Sequence, residues 1–375
     1  MGRTTPFDLM LSQDATQFSR QVCAYLECAA ETAAGIANVT THIDTVGEGS
    51  VRVPVSVNGL TQGNAWVCSP YTTYVDYASE EAQRLVPALL ARPVGFTCKA
   101  IGAILRPARI DEAVTINNWL LSTNLYPRVG STTLRRWLDE AIGRWPSHAV
   151  WLRSLNRRHN AELINMLEDF GYLLVPSRQV YLFDCVDASG STHPNLQRDL
   201  KLLRSHPFVR SPSGEWSEQD FQRAQTLYEA LYIGKYSRFN PSYTARFLQA
   251  WAQIGLLSLS GFRDDHGVLQ AVLGTFECTG TVTAPIVGYN TGLPQKLGLY
   301  RILMASVLRL AAETHQSINL SAGAAEFKRL RGGTAEIEYS AVFVRHLPAG
   351  RRWAVDLLQA ITSRIGEPLM KHYKL

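Results

Sequence analysis

The sequence predicts an α/β protein made of two units of one kind, each a mixed central sheet flanked by helices. One observation is a repeated order of elements. From Thr132 to Asp184 the hydrophobic pattern reads helix, strand, helix, strand, and from Leu299 to Leu347 the same order returns without the same residues. The other is the stretch Thr281–Gly323, which has the grammar of a β–α–β unit. An apolar, β-branched strand (TVTAPIVGY) runs into a turn punctuated by Gly292, Pro294 and Gly298. An amphipathic helix and the short apolar run SINLSAG follow. A chain of 375 residues is comfortable for two domains, expected at 1–186 and 217–375 with a connection at 187–216.

Taken in order, QFSRQVCAYLECAAETAAGIAN looks helical and VRVPVSVNG alternates like a strand. AWVCSPYTTYVDYASEEAQRLVPALLA reads as a strand passing through a Tyr-rich turn into a helix. Ser79 is a candidate cap there, and the early acidic residues suit the helix dipole. VGFTCKAIGAIL is strand-like, and IDEAVTINNWLLSTNL fits either a strand or a helix. The spacing then predicts a helix over TTLRRWLDEAIGRW, a strand over HAVWLRSL, a helix ending at Gly171, and a strand over VPSRQVYLFD. NLQRDLKLLRSH is a basic amphipathic helix with Arg198, Lys201 and Arg204 pointing one way. Ser217 and Asp220 resemble a capping box. Two helices break at Asn240-Pro241, because proline disfavours helix at the residue before it. A hairpin turns at Asp264–Gly267. From Leu299 the apolar positions Leu299, Ile302, Leu303, Val307, Leu310 and Ala311 keep one helical face.

Composition excludes several classes. Hydrophobic content of 46% with 18% charged residues belongs to a folded protein, and no apolar run approaches the roughly 20 residues of a membrane span. The first twenty residues lack a signal-peptide core, so a cytoplasmic protein is expected. The six cysteines are scattered without metal or disulfide spacing, and no metal is expected. A net charge of +5 is compatible with a phosphate-bearing ligand such as coenzyme A or an RNA. The chain has no G-x-S-x-G elbow and no phosphate-binding G-x-x-x-x-G-K-[S/T] loop.

A Gly turn leading into a helix between two parallel strands sets free backbone N–H groups and a helix N-terminus over one cleft. Tyr289, Gly298, the run Asn319–Gly323 and Phe327-Lys328 together resemble the catalytic domain of GNAT-superfamily acyltransferases. The likeness is to the CelD-like proteins and the FemABX aminoacyl-transferases, which are built as tandem GNAT-like domains. It covers residues 217–346 well and 60–185 weakly. The resemblance implies a degenerate first domain and a catalytic second one, with Lys328, Phe327 and Tyr289 as catalytic residues. It places the donor against Gln295, Lys296, Gly298, Tyr300, Asn319, Ser321, Arg329 and Arg331. The acceptor falls to Tyr232, Tyr236, Arg238, Asn240 and Glu338, with an outer, edge-strand position as the alternative for Glu338.

Amide formation needs a stabilised carbonyl oxygen, a neutral amine and a route for its proton. The Gly298 turn and Lys328 answer the first need, while no sharp general base stands out. The GNAT pyrophosphate loop reads Gln/Arg-x-x-Gly-x-Gly/Ala, but here Gln295-Lys296-Leu297-Gly298-Leu299 ends in Tyr300, which crowds a diphosphate. That tilts the expected co-substrate from acyl-CoA to aminoacyl-tRNA, with no tightly bound cofactor. The acceptor is expected to be a primary amine on a small molecule or peptide, in specialised metabolism or cell-envelope synthesis. An acyl-CoA-dependent N-acyltransferase and a non-catalytic, degenerate GNAT module are the alternatives.

Overall fold

The computed structural model describes residues 6–28, 35–85, 87–184, 186 and 193–373. The first half runs α1 (Pro6–Glu27), β1 (His42–Val46), β2 (Val53–Asn58), a π-helical turn at Thr72–Tyr77, α2 (Ala78–Leu85), α3 (Ala88–Leu105) and β3 (Ala113–Ile116). It continues with α4 (Ser131–Arg144), β4 (Ala149–Asn156), α5 (Arg157–Asp169) and β5 (Leu173–Phe183). The second half opens with α6 (Pro194–Ser205), β6 (Val209–Pro212), α7 (Glu218–Glu229), a π-helical turn at Ala230–Tyr236, α8 (Ala245–Gln253), β7 (Ser258–Arg263), β8 (Leu269–Cys278) and β9 (Thr281–Tyr289). It closes with α9 (Leu299–Thr314), β10 (Ser317–Asn319), α10 (Ala325–Arg329), β11 (Thr334–Phe343), α11 (Ala349–Ile361) and α12 (Glu367–Tyr373).

All the strands join one eleven-stranded sheet in the order β1-β2-β3-β4-β11-β5-β10-β9-β8-β7-β6. Its two halves match. β3 and β4 pair in parallel, as do β9 and β10. Outside them, β2 is antiparallel to β3 as β8 is to β9. The last strand of each repeat is exchanged: β11 lies between β4 and β5, and β5 lies between β11 and β10. The expected repeat of helix, strand, helix, strand is therefore present as β3-α4-β4-α5-β5 and β9-α9-β10-α10-β11. The exchange puts Glu338 on a central strand rather than an edge. It also runs the sheet unbroken past residues 187–216, where α6 and β6 lie.

Local chemistry explains most elements. The Ser217 and Asp220 side chains form the reciprocal capping box that opens α7. Gly171 takes a left-handed φ of 87° just past α5, where a residue with Cβ is disfavoured. Two readings fail. VGFTCKAIGAIL is helical, because Cys98, Ile101 and Leu105 recur at helical spacing and bury one face. Ala65–Cys68 is buried but forms no strand, and Ser79 lies inside a continuous helical run from the Thr72 turn rather than capping it. No helix among the described residues is long and apolar enough to cross a membrane.

Candidate functional site

The parallel pairing of β9 and β10 ends at Thr283 and Asn319, while β9 continues six residues further to Tyr289. β9 therefore runs on beyond the short β10, and the turn that leads into α9 follows its end. Gly298 supplies the left-handed residue (φ 65°) that lets α9 start, and no side chain caps that helix. Gln295 and Lys296 are exposed on the turn. A Cβ at Gly298 would lie 2.7 Å from Leu202 of α6, so α6 covers the turn from outside.

Tyr300 does not hang in open solvent. Its ring centroid lies 4.8 Å from that of Phe327 and 6.2 Å from that of Tyr289, and burial raises its hydroxyl pKa well above the ordinary range. The tyrosines continue outward. Tyr232 stacks on Tyr228 at 4.7 Å, and Tyr236 lies 6.0 Å beyond. Gly288 permits this, since a Cβ there would meet the Tyr228 backbone nitrogen at 2.6 Å.

Lys328 is buried, and its ammonium donates to the carbonyls of Leu320 (2.8 Å), Ser321 (3.2 Å) and Ala322 (2.8 Å). Burial, then the Arg178 charge, push its pKa down to about 7, while three carbonyl acceptors favour the ammonium. All its hydrogens are thus spent on the loop after β10, where Ser321, Gly323 and Ala324 all have positive φ. Asn319 is spent there too, accepting from Ser321 N at 2.8 Å. Arg329 is exposed on α10.

Arg331 is tied into the fold. Its guanidinium pairs with the buried Asp199 at 2.5 Å and donates to Phe327 O, and Arg301 pairs with the same carboxylate at 2.6 Å. This triad bolts α6 to α9 and to the end of α10. Asn240 is likewise committed. Its amide donates to Tyr232 O and Ser237 O and accepts from the Trp66 indole at 3.0 Å. Arg238 is exposed, 3.9 Å from Glu80.

Glu338 leads to the residues that sequence reasoning missed. Arg178 of β5 grips it from Nε to Oε1 at 2.7 Å and from Nη2 to Oε2 at 3.2 Å. Both Arg178 and Arg153 lie over the Trp66 ring, 4.7 and 5.1 Å from its centroid. Tyr77 and Glu81 complete the cavity they line, at the centre of the molecule where the exchanged strands meet. Burial raises the Glu81 carboxyl, while the Tyr77 hydroxyl and two guanidinium charges oppose it. The signal was one arginine behind Pro176-Ser177 in a mostly apolar strand, where the register slips between Arg178 and Pro176. Among the described residues, no three or more His, Cys, Asp or Glu side chains are grouped to hold a metal.

A parallel pair, a Gly turn feeding a helix and a strand-exchanged sheet are features of the GNAT fold. Residues 191–329 match the acetyltransferase (GNAT) domain family, so this part of the chain is a GNAT domain. No curated protein matches the chain by sequence. Among solved structures, the C-terminal domain of an Agrobacterium fabrum protein assigned as a lysylphosphatidylglycerol synthetase is 11% identical, with a TM-score of 0.52 over 94% of this chain and 97% of that one. L-PGS from Bacillus licheniformis is 12% identical, with a TM-score of 0.46 over 66% and 82% of the two chains. FemX is 6% identical, with a TM-score of 0.45 over 62% and 80%. At these identities the first likeness speaks for the fold alone, and the other two carry no further argument.

Proposed function

We propose that this chain forms an amide by moving an aminoacyl group from an aminoacyl-tRNA to a primary amine. Residues 217–375 hold the donor, and residues 1–186 complete the acceptor side through Arg178, Glu81 and Trp66. The observation that carries the choice of donor is the filled seat at α9. Tyr300 packs against Tyr289 and Phe327, and Leu202 covers Gly298, where a coenzyme A diphosphate would need close backbone approach. An aminoacyl ester needs no diphosphate there. Support also comes from α6, whose Arg198, Lys201 and Arg204 are exposed beside that turn and would meet phosphates.

In this reading the amine attacks the ester carbonyl carbon, the C–N bond forms, and the C–O bond to the terminal ribose breaks. The amine proton passes to Glu81, which returns it to the ribose oxygen so that the latter leaves as a hydroxyl. Glu81 suits the task because its raised pKa brings it nearer neutrality. Lys328 acts as a positioning residue that shapes the 320–322 loop. A second reading, an acyl-CoA donor, is favoured by the uncapped first turn of α9, whose N–H groups would welcome an anion.

The test is binding of acetyl-CoA set beside binding of charged and deacylated tRNA at one fixed salt concentration. Tighter binding of charged than of deacylated tRNA, with no coenzyme A bound, is the expected result. Micromolar coenzyme A binding that is lost in Gly298→Val would overturn it.

A further inference from the structure

A second cavity opens next to the central one and is built of different material. Thr73, Ala78, Glu81, Ser177 and Arg178 line both, so the two meet at those side chains. The outer cleft is walled by Val94 and Ile101 of α3, Leu358 and Ile361 of α11, and Leu369 and Met370 of α12. Ile365, in the π-helical turn between α11 and α12, lines it while remaining 51% exposed, which marks the open side. Ala322 of the Lys328-bound loop also lines it, so the cleft runs up to the proposed reaction centre. A lined apolar recess that ends on a few polar groups is the usual build of a small-molecule site.

Its charge is one-sided. Among the described residues, Glu81 and Arg178 are the only charged ones on its walls. Arg178 is already matched by the bidentate grip on Glu338. No ion pair within 4 Å reaches Glu81 among the described residues, although the Arg84 and Arg178 charges are felt from further away. A carboxylate left without a close cation, at the inner end of an apolar cleft, calls for a cation on an apolar stem.

We infer that the outer cleft binds the acceptor, and that the acceptor is a primary amine carrying a long apolar chain, its ammonium at Glu81 and its chain between α3, α11 and α12. This rests on the acyl-transfer reading for the word acceptor, but the site itself is tested without any donor. Glu81 takes the first ammonium proton and releases it to solvent before attack, then takes the second as the C–N bond forms and returns it to the departing oxygen, while the chain stays in the cleft and the amide forms beside Ala322.

The probe is decylamine below its micellar concentration, titrated by calorimetry at pH 7.5, with decanoate as the carboxylate counterpart. Decylamine is expected to bind at least tenfold more tightly than decanoate. Ile361→Trp, which fills the cleft, should weaken decylamine at least tenfold, and Glu81→Gln should bring the two ligands within about threefold of each other. Ile101→Phe is the second blocking variant should Ile361→Trp fail to melt cooperatively. Equal binding of the two ligands to the native protein, or decylamine binding that survives both blocking variants, would overturn the inference. Adhesion to phosphatidylcholine vesicles with no amine present, lost on adding decylamine, would also overturn it by showing a general lipid surface. If decylamine binds as described and neither charged tRNA nor acyl-CoA gives an amide, the reaction falls and the site stands. If methylamine is acylated and decylamine does not bind, the site falls and the reaction stands.

Discussion

Arg178 and Glu338 join the two exchanged strands through a two-pronged ion pair, 2.7 and 3.2 Å long, with the Trp66 ring beneath the guanidinium. Each strand was delivered by a different half of the chain, so the pair exists only once both repeats have folded. Removing one partner strands the other as a buried charge. Arg178→Ala should therefore lower stability by roughly 3–5 kcal/mol in chemical denaturation. The double variant Arg178→Met/Glu338→Leu should lose less than Arg178→Ala alone. A double variant at least as unstable as the single one would show that the pair itself is net stabilising.

Lys328 is predicted to act through its loop. Lys328→Met leaves the carbonyls of Leu320, Ser321 and Ala322 without their donor, at about 1–3 kcal/mol for each that water cannot reach. The turnover number should fall at least tenfold, and exchange protection over residues 320–324 should fall with it. Unchanged protection with lost activity would instead mark the ammonium as a direct participant.

Asp111 is a pH sensor of stability. Burial raises its carboxyl to about 6, against hydrogen bonds from Tyr71 N and Ser69 Oγ at 2.9 Å. The folded state then holds the proton more tightly than the unfolded chain. Stability should fall as pH rises from about 4 to about 6 and stay lower above that window. Asp111→Asn keeps the accepting oxygen and removes the titration. It should flatten the pH profile and be more stable at pH 7.5 by on the order of 2–3 kcal/mol. An unchanged slope between pH 4 and 6 would refute this.

The exposed face of α6 is expected to set the salt dependence of tRNA binding. Replacing Arg198, Lys201 and Arg204 with alanine should weaken charged tRNA at low salt. It should also reduce the slope of log K against log salt by about 0.7–0.9 for each phosphate the helix no longer neutralises. An unchanged slope would move the nucleic acid to another face.

At Gly288, β9 passes close against the backbone of α7. Gly288→Ala would press a Cβ to within 2.6–2.9 Å of the backbone at Leu227–Tyr228, so strain of about 1–3 kcal/mol is expected. Because Tyr228 carries the Tyr232 stack, near-ultraviolet dichroism should change along with the melting temperature. A melt unchanged from the native protein would show that the helix yields freely.

What the sequence determined by itself is everything that repeats at short range. Hydrophobic periods of 3.6 and 2 residues located α4, β4, α5, β5, α9 and β11. Their recurrence disclosed two units, and Gly298 announced a turn before α9, which the structure fills with a left-handed φ of 65°. The Ser217–Asp220 box was legible for the same reason, its chemistry being complete within four residues. Only the tertiary structure decided which strands exchange, since edge and central strands of similar pattern are told apart by their neighbours and not by their own residues. It alone turned Arg331 and Asn240 into structural ties, through Asp199 from 132 residues away and Trp66 from 174. It likewise brought Glu81, Arg178 and Glu338 together from three distant segments. Charge pairing and cavity walls depend on distances in space, and a pattern read along the chain carries no measure of them.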